Sequence, residues 1–132
     1  MPINFDSALG IHAEALKLRA RRAEVLASNL ANMDTPNYKA RDFDFNAALR
    51  QAQAGAQSPF LKVSHASHIQ PLSTASAVEL AYRIPAQSSL DGNTVDAPME
   101  QAAFAENALQ YRATLQFLNS RIRGLMSAIR GE

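Results

Sequence analysis

Cysteine is absent from the 132 residues, which excludes a disulfide framework and a thiolate zinc site and leaves the fold independent of redox compartment. Tryptophan is absent as well, and aromatic residues make up only 7%. Hydrophobic residues reach 47%, but much of that is alanine, so the core open to a single chain is thin. Neither sign of charge dominates: 13 basic against 12 acidic residues leave a net charge of +1. A field that weak does not argue for nucleic acid or an anionic membrane as partner. No run approaches the roughly 20 apolar residues of a membrane span. Residues 1–20 lack the basic start and unbroken apolar stretch of a signal peptide, because Asp6, His12, Glu14 and Lys17 interrupt them. Export by the general secretory pathway is therefore not expected, although a route without a cleaved signal would leave such a composition untouched.

What is present has the size of one domain. Of the basic residues ten are Arg and three Lys, and Arg is the cation that tolerates partial desolvation at protein interfaces. The chain divides into three zones: an amino-terminal helix over residues 1–33, a connecting segment over 34–96, and a heptad helix over 97–132. In the first, Phe5, Leu9, Leu16, Ala23, Leu26, Leu30 and Met33 fall on an alternating four-three ladder, with Ile11, Leu18 and Val25 as a second apolar line beside it. Pro36 ends this helix, since its ring disfavours a helical Thr35. The connecting segment is broken by Pro59, Pro71 and Pro85 and by Gly55 and Gly92. It reads as a short helix near residues 43–54, then loops and a few short strands, with a tight turn at Asp91, Gly92 and Asn93. In the last zone Phe104, Ala108, Tyr111, Leu115, Leu118, Ile122, Leu125 and Ile129 recur at spacings of four and three without a miss, flanked by Phe117 and Met126. Asp96 or Ala97 precedes this helix, Pro98 is tolerated in its first turn, and Gly131 ends it. The expected fold is mainly α: long terminal helices paired as a coiled-coil-like core, joined by an irregular middle. A lone hairpin of this kind leaves apolar surface exposed, so the helices are expected to pack on each other and then on neighbouring copies.

Each chemical constellation has a plainer reading beside it. His65 and His68 have an H-x-x-H spacing, but two imidazoles do not make a metal site, and hydrogen bonds to loop backbone account for them. Asp42 and Asp44 are i and i+2 neighbours around Phe43, with no sign of the cleft a glycosidase needs, and one of them is expected to cap the short helix. Arg19, Arg21 and Arg22 spread around a helix, with Glu14 and Glu24 near enough to moderate them. Ser28, Asn29 and Asn32 are unusual, because Asn competes for backbone groups inside helices. They are either local caps or polar contacts that set how the helix meets a neighbour. No catalytic residue, metal, cofactor, small-molecule substrate or nucleic acid is expected.

The run from Ala27 to Lys39, with Ser28, Asn29, Asn32, Thr35, Pro36 and Tyr38, closely resembles the signature of flagellar rod and hook proteins near their amino ends. Ala40 to Phe45, His65 and His68, Tyr82 to Pro85, Leu90 to Asp96, and Phe104 to Asn107 with Tyr111 narrow the resemblance to the proximal rod proteins of the bacterial flagellum. It covers nearly the whole chain; Ala97 and Pro98 depart from the charged residues expected at that helix start. The resemblance implies a structural subunit that polymerises into the periplasm-crossing drive shaft, its paired helices lining a central channel. It also implies passage through the flagellar type III export apparatus, with Phe5 and Leu9 as an export-gate motif. Implied partners are other copies of the chain, other rod proteins and the basal adaptor. Two other readings are a different signal-less helical-hairpin partner protein and a small peptidoglycan hydrolase.

Overall fold

The computed structural model describes residues 9–54, 78–85 and 87–131. Three helices and two short strands follow one another as α1 (Ile11–Ala31), β1 (Arg41–Asp42), α2 (Phe45–Gln53), β2 (Ala81–Tyr82) and α3 (Ala97–Arg130). The mainly helical fold with paired terminal helices is the one the periodicity predicts. Phe5, the 60–63 apolar run and both middle histidines, His65 and His68, lie outside the described residues.

The apolar ladder runs through Gly10 on paper, but the backbone does not. Gly10 has φ +59°, a left-handed conformation open to glycine, and α1 starts immediately after it. Within α1 there is neither Gly nor Pro, and Ala, Leu and Arg dominate, all strong helix formers. The helix closes with the amides of Asn32 and Met33 donating to the carbonyls of Asn29 and Leu30 at 3.1 and 3.3 Å. Asp44 caps α2, its carboxylate accepting from the amides of Asn46 and Ala47 at 2.8 and 3.2 Å. Asp96 caps α3 by accepting from Met99 N at 3.2 Å, so the Ala97–Pro98 start has a conventional cap in front of it. Gly131 ends α3 at φ +76°.

Helices α1 and α3 are antiparallel: His12 meets Phe117, Arg19 meets Asn107 and Gln110, and Asn29 meets Glu100. Among the described residues the buried apolar side chains are Ala15, Leu18, Val25, Leu26, Ala40 and Phe43. They lie on the inner face of α1 and where the chain returns beneath it. Burying Leu18, Val25, Leu26 or Phe43 stabilises by about 1.5–3 kcal/mol each. The strands pair antiparallel, Arg41 opposite Tyr82 and Asp42 opposite Ala81, and the Arg41 guanidinium lies 5.3 Å from the Tyr82 ring centre. This small ladder brings Arg83 back against Asp42 and against Glu100 of α3.

Candidate assembly surface

Polar contacts hold α3 against α1. The buried residues of α3 are Glu100, Asn107 and Thr114, seven apart, each facing inward where the apolar ladder was expected. Asn107 donates to the Arg19 carbonyl at 2.9 Å, Gln110 accepts from the Arg19 guanidinium, and Thr114 donates to its own helix at Gln110 O, 2.8 Å away. Arg19 also stacks over the Phe45 ring at 4.2 Å, tying α2 to the pair. Desolvation, and the charge of Arg22 next to it, lower the Arg19 pKa, with Glu106 opposing them.

At the other end of the contact, charges alternate through four elements. Arg22 of α1 grips Asp42 with two bonds of 3.1 and 3.0 Å; Arg83 donates to Asp42 at 2.6 Å and also to Glu100 of α3. Glu100, fully buried, accepts from Asn29 at 3.1 Å. Two cations and two anions cancel, which is what allows the group to be buried. The Arg22 pKa is raised, chiefly by its hydrogen bonds to Asp42.

Asn29 completes this network. Its amide nitrogen donates to Glu100 and, at 2.8 Å, to the Arg41 carbonyl; its oxygen accepts from the Arg41 amide at 3.1 Å and the Tyr38 hydroxyl at 3.3 Å. All four of its bonding positions are filled within the chain. The signature residue is therefore no helix cap: its polar contacts lock α1, β1 and α3 together and set how α1 meets its neighbours within the chain. Asn32 is the local cap, donating to Ser28 O at 2.8 Å and accepting from the Thr35 hydroxyl at 3.2 Å. Ser28 lies 3.3 Å from the Tyr38 hydroxyl, and Pro36 is exposed. Asn93 fastens the turn beyond, its amide reaching the carbonyls of Asn32, Met33 and Thr35 at 2.8 to 3.1 Å.

Most of the ladder read from the sequence therefore sits beside the intramolecular contact, with Leu26 the rung that lies in it. Phe104, Ala108, Leu115, Ile122, Leu125 and Ile129 are exposed, and Tyr111 and Leu118 are half-buried. On α1, Leu26 is buried while Leu16, Ala23 and Leu30 are half-buried, as is Leu9 ahead of it; Leu18 and Val25 of the second line join Leu26 in the core. Sequence reasoning missed Glu100, Asn107, Asn93 and the pairing role of Arg83. A signal for the first two was present, since Glu100, Asn107 and Thr114 keep a strict period of seven.

A family model described as flagella basal body rod protein matches residues 9–39, the stretch that holds Asn29 and Tyr38. A flagellar basal body rod protein FlgB of Cereibacter sphaeroides is 48% identical over 128 residues, covering 97% of this chain and 98% of its own length. The chain belongs to the FlgB family of flagellar basal body rod proteins. Its likeness to the family member of Aeromonas hydrophila is 47% over 133 residues, with 100% and 99% covered, and to that of Escherichia coli K12 46% over 129, with 94% of each. These matches span both long helices and the middle segment, well beyond the signature.

Proposed function

We infer that this chain does the work its family is named for, as a structural subunit of the flagellar basal-body rod, and that it polymerises helically through the exposed ladder of α3. One observation carries the second part: the chain spends polar residues on its own helix pair and leaves Phe104, Leu115, Ile122, Leu125 and Ile129 to the outside. Apolar surface of that length on a small chain is what a neighbouring helix covers.

The seam comprises Phe104, Ala108, Tyr111, Leu115, Leu118, Ile122, Leu125 and Ile129 of α3, with Leu16, Ala23, Leu26 and Leu30 of α1 supporting it. Its partners are other copies, other rod proteins and the basal adaptor, in a drive shaft and export channel that crosses the periplasm. The chain reaches that place through the flagellar type III export apparatus, with Phe5 and Leu9 read at the gate, and it performs no catalysis. Cryo-EM of basal bodies isolated from a motile host tests the reading: the chain should be found in the rod with α3 covered by neighbours. Release of soluble muropeptides from peptidoglycan by the purified chain, or its absence from basal bodies, would refute it.

A further inference from the structure

A groove of about 330 Å³ opens between α1 and α3, lined by Ala20, Ala23, Phe104, Ala108 and Tyr111. Arg19 and Arg112 line it too, and no carboxylate does. Arg19 and Asn107, both lining residues, each keep a buried polar atom, Arg19 Nε and Asn107 Oδ1, without a hydrogen-bond partner among the described residues. Asn107 is only 2% exposed. The lining therefore favours an occupant that brings an apolar side chain together with negative charge.

The chain itself presents such a group elsewhere. Leu90 has a relative exposure of 111%, an isolated leucine at the tip of a turn. That turn is held firmly. Asn93 N donates to the Asp91 carboxylate at 3.0 Å, Gly92 N donates to Ser89 O at 3.2 Å, and Asn37 N donates to Asp91 O at 2.9 Å. Gly92 holds φ +73°, a conformation L side chains rarely adopt, and a Cβ there would lie 2.7 Å from Asn37 Oδ1 and push that side chain aside. The exposed Asp91 carboxylate stands next to Leu90, and no described residue engages the Leu90 N–H and C=O. The exposed ladder of α3 is a poorer candidate for this groove, since Arg121, Arg123 and Arg130 accompany it.

We propose that the groove seats the Leu90 turn of a second copy of this chain, with Leu90 among Ala23, Ala108 and Tyr111 and Asp91 facing Arg19 and Arg112. A chain cannot fill its own groove this way. Its turn is fastened at Asn32 and Met33, roughly 20 Å along α1 from Ala20 at 1.5 Å per residue. Because turn and groove are different patches, the contact can run head to tail and extend along an assembly, as a rod requires. The proposal rests on the rod-subunit reading and adds which surfaces meet.

The test places a photoreactive benzophenone amino acid at position 90 in a motile host, irradiates, and maps adducts in isolated basal bodies by peptide mass spectrometry. Adducts joining position 90 to residues 19–23 or 104–112 of another copy are expected. Arg112→Glu should lower their yield about threefold or more, whereas Arg112→Lys should keep it. Adducts on any other element or on another protein, or none in rods that contain the chain, overturn the proposal while leaving the rod reading intact. Absence of the chain from basal bodies removes both.

Discussion

Burial pushes the Asp42 carboxyl up from its ordinary 3.8, but hydrogen bonds from Arg22 and from the Phe43 amide, the charge of Arg22, and a bond from Arg83 outweigh it and hold the group below that value. A carboxyl depressed in the folded state contributes stability that is complete above its unfolded pKa and is lost as pH falls through the folded one. Acid sensitivity from this residue is therefore expected to begin below about pH 4 and to be absent at neutral pH. Asp42→Asn keeps the size but removes the charge that two guanidinium groups share, and leaves them facing each other. It should cost about 2–4 kcal/mol at pH 7, close to what breaking a buried pair costs, and flatten the acid limb of the stability curve. Chemical denaturation followed by circular dichroism across pH 2–7 reads both effects; an unchanged acid slope would mean the carboxyl is not the titrating group.

Helix α3 carries two ladders with the same period. Its length, cap and apolar ladder were legible in the sequence because spacings of three and four and a capping Asp are local signals. Which ladder faces α1 was not. Glu100 and Asn107 are buried because Asn29 and the Arg19 carbonyl, 71 and 88 residues away in the chain, meet them. A polar ladder can be recognised as an interior face only once those partners are in place. The Gly10 break was hidden for a similar reason, since a ladder counts residues and does not register a left-handed φ. The arrangement makes a specific expectation for Leu118, half-buried in the single chain and central in the exposed ladder. Leu118→Asp should leave the isolated chain within about 1 kcal/mol of its stability, yet block rod completion, since each assembled copy would bury an unpaired carboxylate at several kcal/mol. Leu118→Met, which keeps volume and polarity, should be nearly silent. Swarming, with electron microscopy of basal bodies from both strains, separates the two, and complete rods from the Asp variant would remove the ladder from the assembly.

At the scale of the whole molecule, separate surfaces serve separate tasks in the proposed reading. Buried polar and charge-balanced contacts beside the apolar core of α1 set the relation of α1, β1, β2 and α3, and apolar surface of α3 stays exposed. The proposed export role of the amino end makes its own expectation. Phe5→Ala should reduce the ratio of secreted to intracellular protein without lowering intracellular stability; normal secretion with failed rods would make Phe5 a packing residue instead. The division between inner and outer faces of α3 can be tested with thiols, because the chain has no cysteine of its own. Leu115→Cys and Ile122→Cys, compared with Thr114→Cys, are to be labelled with a maleimide in the free chain and in isolated basal bodies. The account predicts that positions 115 and 122 react readily in the free chain and are protected in the rod, while position 114 is protected in both. Equal reactivity of 115 and 122 in the two states would contradict it.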